Sequence, residues 1–183
     1  MTLSVHAARP LRWLLLGLWL LAACAAAQPA RIESQVKAAY LVKFAGFVDW
    51  PGAAFARADS PLVIGVAGND ELAQQLEQMV PGRSVGGHPL AVRRLRRGES
   101  PAGLHVLYVG SLDRGAAAEL LASARGLPLL TVSDAFDAPV GMIHFRVVQE
   151  RLRFEVALRE VGTSGLRISA RMLAAAWRVT GVS

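Results

Sequence analysis

Residues 62–70 read LVIGVAGND, and the architecture of the chain can be worked outward from them. The first six are a nearly continuous apolar run, typical of a strand that is covered on both faces of a sheet. Asn69 or Asp70 then favours the start of a helix over Glu71 to Met79, because short polar side chains cap helix N-termini. Later in the chain, a strand, a helix and another strand are predicted over Leu104 to Val109, Arg114 to Ala124 and Pro128 to Val132. Strands that alternate with helices of about ten residues predict an α/β fold with a partly parallel sheet.

The residues before and beside this pattern predict two more elements. Glu33 to Val48 has apolar residues at helical spacing. This helix is predicted to stop at Trp50, because Pro51 disfavours helical backbone at the residue before it. Pro89 to Leu95 is predicted as a strand at the sheet edge, where its arginines would be solvated.

The pattern changes after the parallel strands. Met142 to Val148 and Arg151 to Leu158 alternate apolar and polar residues, which indicates an antiparallel hairpin. Ser169 is placed to cap a final helix over Ala170 to Arg178. The sequence therefore predicts a single compact α/β domain over residues 31–180. Its partly parallel sheet is flanked by helices, and a C-terminal antiparallel hairpin and a helix complete it.

A hairpin centred between Gln149 and Glu150 has a defined register. One face would carry three apolar pairs and the other two charged pairs: Val147 with Leu152, Phe145 with Phe154, Ile143 with Val156, and then His144 with Glu155 and Arg146 with Arg153. Paired arginines repel unless another charge compensates, and either the diagonal Glu155 or an acidic patch on a partner protein could do so. Gln149 and Glu150 disfavour the positive φ of a two-residue type I′ turn, and a four-residue loop would keep the same register.

Composition limits the classes of protein to consider. The chain has 183 residues, of which 53% are hydrophobic and 19% charged, so a disordered chain is excluded. Cys24 is the one cysteine, which excludes an intrachain disulfide and a cysteine-based metal site. The formal net charge is +6, and loss of a leader that contains Arg9 and Arg12 would leave a modest positive excess.

Residues 1–27 are typical of a bacterial secretory signal peptide. Arg9 and Arg12 precede residues 13–23, WLLLGLWLLAA, an uncharged stretch that is short for a membrane span. Cleavage after Ala27 would release a soluble chain. Alternatively, residues 21–24, LAAC, resemble a lipobox, and Cys24 would be the lipid attachment site. Both alternatives predict a periplasmic domain, which is lipid-anchored only in the second.

No motif predicts catalysis or a cofactor. His88, His105 and His144 lack metal-binding spacing such as HExxH, and a histidine in a strand more often makes structural hydrogen bonds. The sequence has no G-x-S-x-G elbow, P-loop or complete G-x-G-x-x-G motif. The basic run Arg93 to Arg97 lacks aromatic residues that stack on bases, so no nucleic-acid partner is expected. We expect a non-catalytic protein without cofactor or metal; a hydrolase with an unrecognised site is the catalytic alternative.

Two groups of residues are candidates for binding. A partner protein could dock on the basic hairpin face or near an exposed aromatic residue: Arg146, Arg151 and Arg153, or Trp50. Alternatively, a small molecule could bind where the parallel strands end, since such sheets bind ligands in that crevice. The polar residues at these strand ends are Asn69, Asp70, Ser111, Ser133 and Asp134. Such residues also cap helices and turns, which is the structural explanation.

Several stretches in order resemble the YfiR family of small exported bacterial proteins, which includes HmsC-type regulators. Residues 37–51, KAAYLVKFAGFVDWP, are similar to the family's K-A-x-x-x-x-x-F-A-x-F-V-x-W-P opening. Residues 62–66, LVIGV, and 130–134, LTVSD, follow. Residues 151–156, RLRFEV, and 165–173, GLRISARML, are similar to the family's R-x-R-F-E-I and G-L-x-I-S-S-K-L-L.

The resemblance implies a function that the residues alone do not. Well-understood members are periplasmic α/β proteins that repress a membrane-bound diguanylate cyclase by contacting its periplasmic part, and they imply a homodimer. Some relatives carry regulatory cysteine pairs, whereas this chain has Leu104 at one such position. The expected function is therefore non-catalytic regulation of an inner-membrane signalling protein. A periplasmic small-molecule binding protein is the alternative.

Overall fold

The computed structural model describes residues 31–134 and 141–181. The predicted signal peptide, residues 1–27, and the candidate lipid site Cys24 lie outside these ranges. Both therefore stay predictions. Within the described ranges, no helix combines the length and the apolar character needed to cross a bilayer.

Helices and strands alternate in the first part of the described chain, and strands predominate later. The helices are α1 (residues 31–45), α2 (Asp70–Met79), α3 (Arg114–Ser123), α4 (Leu158–Gly162) and α5 (Ala170–Ala175). A 3-10 turn covers Gly52–Ala54. The strands are β1 (Val48–Asp49), β2 (Leu62–Ala67), β3 (Ser84–Val85), β4 (His88–Leu95), β5 (Val106–Val109), β6 (Leu130–Ser133), β7 (Ile143–Val148), β8 (Arg151–Ala157), β9 (Arg167–Ile168) and β10 (Arg178–Thr180).

Eight strands form one mixed sheet in the order β10-β8-β7-β6-β5-β2-β4-β3. Within this order the neighbouring strands β4, β2, β5, β6 and β7 pair in parallel, whereas β8 is antiparallel to β7. β1 and β9 form a separate antiparallel pair. The predicted fold class is confirmed: a single compact α/β domain with a mostly parallel sheet, flanking helices, and a C-terminal hairpin and helix.

Helices cover both faces of the sheet, as the side chains of β5 show. Val106 and Tyr108 point into the larger core, to which α2 contributes Leu72. Leu107 points into a smaller core, to which α3 contributes Ala117. Because successive strand residues face opposite sides, both faces of β5 are buried. This double cover explains why the parallel strands are continuous apolar runs.

The parallel strands define two edges of the sheet. The carboxyl edge is where β2, β5 and β6 end, and the amino edge is where they begin. α1 runs from the first edge to the second, because its Lys37 contacts Asp134 just after β6, while Trp50 contacts His105 just before β5. The described start of α1 therefore lies at the carboxyl edge.

The first helix ends earlier than predicted. α1 ends at residue 45 rather than Val48, and a turn follows in which the Phe47 N–H donates to the Phe44 carbonyl at 2.9 Å. Val48 then pairs with Ile168 in the β1–β9 ladder. The helical prediction was wrong over this last turn because a long-range strand pairing takes precedence over local spacing.

The last helix is also shorter than predicted. Ser169 caps it as expected, since its Oγ accepts the Met172 N–H at 3.4 Å. However, α5 ends at Ala175, and Arg178 belongs to β10, which pairs in parallel with β8. The Trp177 N–H already donates to the Phe154 carbonyl at 2.9 Å. Pairing at the edge of the sheet therefore replaces the predicted final turn.

The hairpin register is confirmed at every predicted pair, from Ile143 with Val156 to Val147 with Leu152. The connection is the two-residue turn itself, with φ of 50° at Gln149 and 60° at Glu150. The predicted preference against positive φ is overcome by the paired strands on either side, which the turn must match in twist.

Candidate functional site

The β7–β8 hairpin places the predicted arginines on one face. Arg146 lies opposite Arg153, and Arg151 lies opposite Val148. Arg151 and Arg153 are exposed, and the Arg146 side chain is 35% exposed. We call these three residues the arginine face. It lies beyond the carboxyl edge, because β7 continues past Ser133, the last residue of β6 that pairs with it.

A buried carboxylate lies at the base of the arginine face. Glu155 is 4% exposed. Its Oε1 lies 3.3 Å from Nε of Arg146 and 4.0 Å from Nη1 of Arg178. The Glu155 charge thus offsets the repulsion between Arg146 and Arg153, as the structural explanation for this pair requires.

Exposed apolar side chains lie at the same end of the molecule. Ile32 and Val36 on α1 are 59% and 39% exposed, and Val147 is 64% exposed. In the described chain, Trp177 is the fourth large hydrophobic residue with such exposure. We call Ile32, Val36 and Val147 the apolar patch. Single exposed apolar side chains are common on protein surfaces, but grouped ones mark interaction sites, so the patch is a candidate docking surface.

The aromatic core shows that α1 and the hairpin meet at this patch. Tyr40, one turn after Val36, has its ring 5.8 Å from that of Phe145 and 5.7 Å from that of Phe154. Val147 follows Phe145 on the same hairpin face. Both α1 and β7 therefore leave the core toward the carboxyl edge, with apolar side chains on adjoining surfaces. The apolar face of the hairpin was predicted to be buried throughout, but burial ends before Val147 because no described element covers the hairpin tip.

Trp50 lies at the opposite end, on the amino edge. Its Nε1 donates to the Ala45 carbonyl at 3.2 Å, and its ring meets the edge of the His105 ring at 5.6 Å. The indole is half-buried by these contacts. A single partner surface cannot cover both Trp50 and the arginine face, so the two predicted docking regions are separate alternatives.

Three stacked rings close the amino edge beside this tryptophan. Phe55 lies between His88 and His105, with ring centroids 3.6 Å and 4.4 Å away. His105 Nδ1 accepts the Val63 N–H at 3.1 Å, so Nε2 carries the proton and lies 3.1 Å from the Ala54 carbonyl. Burial lowers the pKa of His105, and the hydrogen bond to Ala54 opposes this only in part. The neutral imidazole therefore makes structural hydrogen bonds.

The predicted crevice residues already have structural contacts. Asn69 caps α2, because its Oδ1 accepts the Leu72 N–H at 2.8 Å. The exposed Asp70 carboxylate lies 3.3 Å from Arg94. Ser111 is exposed after β5. The Asn69 side chain also hydrogen-bonds Tyr108, whose hydroxyl contacts Asp134, so two of the predicted crevice residues meet at one tyrosine. The role of Asn69, Asp70 and Ser111 in ligand binding stays a prediction.

The two remaining crevice residues lie on opposite faces of the sheet. Ser133 is paired with His144 in the ladder, and its Oγ lies 3.1 Å from Nδ1 of that histidine. Asp134 instead contacts Lys37 and Tyr108 on the α1 face. A single small ligand could not contact both residues without crossing the sheet, because adjacent side chains on a strand point to opposite faces.

Asp134 belongs to a buried polar cluster that the sequence analysis missed. Asp134 accepts the Tyr108 hydroxyl at 2.6 Å and pairs with Lys37, whose Nζ also lies 2.5 Å from Glu33. Burial lowers the pKa of Lys37, but bonds to Asp134 and Glu33 outweigh it, so the net pKa is raised. Burial, and then the Asp134 charge, raises the pKa of Tyr108. The available signal was a lysine on the apolar face of α1, in line with Leu41 and Phe44.

The polar groups of the described chain differ in whether they are buried or exposed. No three His, Cys, Asp or Glu side chains within residues 31–134 and 141–181 are placed to hold a metal ion. Lys37 and Tyr108 are buried and bonded to Asp134. The arginine face and the apolar patch, in contrast, offer exposed charge and exposed apolar area for a macromolecular partner.

Comparison with known proteins gives one match. A family model described as YfiR/HmsC-like matches residues 34–176. The match covers nearly all of the described residues and includes the hairpin and the cluster residues Lys37, Tyr108 and Asp134. No curated protein matches the chain significantly.

Proposed function

Because the chain belongs to the YfiR/HmsC-like family, we propose that it is an exported, non-catalytic regulator of cyclic di-GMP signalling. It binds the periplasmic part of an inner-membrane signalling protein, such as a diguanylate cyclase, and represses it. The domain carries out this role in the periplasm after residues 1–27 direct its export. Cys24 adds a lipid anchor if the lipobox is used, and otherwise the chain is free.

One observation supports docking at the carboxyl edge above all. The arginine face and the apolar patch are exposed at the same end of the molecule, on the hairpin and on the start of α1. Protein interfaces combine apolar area with arginine, and arginine is enriched among the residues that dominate binding energy. The two surfaces lie on opposite faces of the hairpin, because Arg146 and Val147 are adjacent on β7. A partner would fit this end by enclosing the hairpin tip, with acidic groups against the arginine face and apolar groups against the patch.

Repression requires that the regulator bind one state of the partner more tightly than the other. A hundredfold preference for the inactive state corresponds to about 2.7 kcal/mol. Three desolvated arginine contacts of about 1 kcal/mol each would be enough. The arginine face therefore needs to contact only a small part of the partner that moves between the states.

The test is a paired charge reversal on the arginine face. Arg151→Glu together with Arg153→Glu changes two exposed side chains and leaves Arg146 and the buried Glu155 in place. We expect the double variant to lose capture of the membrane partner from detergent-solubilised inner membranes, and cells that carry it to have raised cyclic di-GMP. The membrane protein encoded next to this chain is the first partner to examine.

A matched control reverses two exposed arginines elsewhere. Arg83→Glu with Arg125→Glu makes the same change in net charge, away from the hairpin. This control should capture the partner and lower cyclic di-GMP as the unaltered chain does. If the hairpin variant captures the partner as well as the control, the arginine face is not the docking surface, and Trp50→Ala then tests the amino edge.

Small-molecule binding in the crevice is the alternative function, and the geometry gives it less support. Asn69 caps a helix, Asp70 pairs with Arg94, and Ser133 faces away from Asp134. A thermal-shift screen with nucleotides and amino acids tests it, since a ligand at 100 times its Kd stabilises by about 2.7 kcal/mol. Light scattering on the same samples tests the homodimer that the family resemblance implies.

A further inference from the structure

A groove on the α3 face of the sheet has no part in the proposed docking function. Its volume is about 260 Å³. The floor is formed by Ala67 at the end of β2 and Leu95 at the end of β4. One wall is α3, through Ala116 and Leu120, and the other is the loop of residues 96–100 that leaves β4. All of these residues belong to the described part of the chain.

The floor of the groove is apolar because a glycine lets a leucine approach the backbone. Gly68 has a φ of +72°, and a Cβ atom there would lie 2.9 Å from the Leu112 side chain, which lines the groove. Leu112 therefore packs directly on the end of β2. Leu95 and Leu120 continue the same apolar surface. The groove is thus pre-formed by packed side chains, as small-molecule sites usually are.

Charged side chains surround this apolar floor, and most of them already have partners. Arg97 lies 2.9 Å from Asp113, which also caps α3. Glu99 accepts the backbone N–H of Arg96 at 3.2 Å. For the guanidinium of Arg96, by contrast, no ion pair or side-chain hydrogen bond is found with any described residue. The rim therefore offers one exposed cation that a ligand can use.

We propose that this groove binds a small monocarboxylate with an apolar tail. The carboxylate pairs with Arg96, and the tail lies on Leu95, Leu112 and Leu120. A volume of 260 Å³ equals about nine water volumes at ~30 Å³ each, which suits a tail of about eight carbons. Glu119 on the α3 wall disfavours a second negative charge, so a polyphosphate or dicarboxylate is a poor fit.

The first experiment compares three probes that share one tail. Octanoate, octylamine and octanol are titrated separately into the exported chain and followed by amide chemical shifts in two-dimensional NMR. We expect octanoate to bind most tightly, with shifts concentrated at residues 95–100 and 112–123. Equal or tighter binding of octylamine would overturn the proposal, because Glu119 rather than Arg96 would then select the ligand. Absence of saturable octanoate binding would overturn it too.

Two kinds of variant separate the head group from the tail. Arg96→Gln should weaken octanoate about tenfold and leave octanol unchanged, since one charge-assisted contact is lost. Ala116→Leu fills the groove and should weaken both probes at least about tenfold. Ser123→Leu fills the lip from an exposed position and repeats the test if Ala116→Leu disturbs folding. Ala122→Leu, exposed on the same helix outside the groove, is the matched control and should bind as the unaltered chain does.

These results do not depend on the docking function. Arg151→Glu with Arg153→Glu should bind octanoate normally, because those residues lie on the hairpin and do not line the groove. If octanoate binding fails while partner capture succeeds, the ligand proposal alone is wrong. If partner capture fails while octanoate binding persists, the docking proposal alone is wrong.

Discussion

The two edges of the sheet differ in how their side chains are used. At the amino edge, Trp50, Phe55 and His105 pack against one another, and His105 bonds backbone groups on two sides. At the carboxyl edge, a bonded polar cluster lies in the interior, while arginines and aliphatic side chains above it face solvent. The contrast teaches that aromatic residues at one edge can be structural, while the exposed arginines and aliphatic side chains lie at the other edge, on the hairpin and α1.

The largest expected effect is a difference in stability between two truncations, one at each edge of the sheet. Trp50→Ala should lower the free energy of unfolding by about 3 kcal/mol, because it removes packing against His105 and leaves a cavity. Val147→Ala should change it by less than about 0.5 kcal/mol, since that side chain is largely in solvent. Urea unfolding of both variants measures the difference. Similar losses in the two variants would mean that the apolar patch is structural and the contrast between the edges is false.

The interior of the carboxyl edge should be more sensitive than its surface. Tyr108→Phe should cost about 2 kcal/mol, because the largely buried Asp134 carboxylate loses a hydrogen bond from a fully buried residue. Tyr40→Phe is the matched control, since the Tyr40 ring packs on Phe145 and no hydrogen bond of its hydroxyl is found among the described residues. The control should change stability by less than about 0.5 kcal/mol. An equal loss of stability in both variants would mean that the hydrogen bond between Tyr108 and Asp134 does not stabilise the fold.

Acid should weaken the amino edge through His105. Its folded-state pKa lies below the ordinary value of 6.5, so the unfolded chain takes up the proton first as pH falls. Stability contributed by the neutral imidazole is therefore present above about pH 6.5 and is lost below it, at no more than about 1.4 kcal/mol per pH unit. Unfolding measured from pH 7.5 to 5 should be less pH-dependent in His105→Gln. An unchanged slope in that variant would contradict the assignment.

The smallest effect is expected at the arginine face. Arg153→Gln removes the like charge opposite Arg146 and should raise the free energy of unfolding by roughly 0.3 kcal/mol. The gain should shrink as salt is added, because exposed charges are screened. Arg83→Gln, on an exposed loop, should show neither change. A loss of stability in Arg153→Gln would indicate that Arg153 makes a structural contact rather than being held for a partner.

The local sequence pattern predicts those elements of the fold that depend on residues close together in the chain. β2 has the predicted bounds because an apolar run ends at a helix cap, Asn69. The hairpin register followed from one centre and the alternation around it, because a shift of one residue would turn Phe145 and Phe154 to the opposite face. The same local pattern determines that Arg146 and Arg153 lie opposite each other.

The remainder depends on contacts between distant residues. α1 ends early because Val48 pairs with Ile168, and the last helix ends early because β10 joins β8. The polar cluster joins Lys37 to a residue 97 positions away, and the ring stack brings Phe55 between a histidine on β4 and one just before β5. Composition and periodicity carry no information on such pairs, so Ser133 and Asp134 were grouped by strand ends although they lie on opposite faces of the sheet.

The turn of the hairpin bears on the order of folding. Gln149 and Glu150 both hold left-handed backbone, which costs roughly 1–2 kcal/mol for each such residue, so this turn is a poor nucleus. Closure must instead begin where Phe145 and Phe154 meet the rings of α1, and pairing then proceeds toward the tip. The tip of the hairpin is thus expected to pair last and to fray first, while the aromatic layer stays intact. If a partner docks on the arginine face as proposed, the tip could adjust to it without disturbing the core.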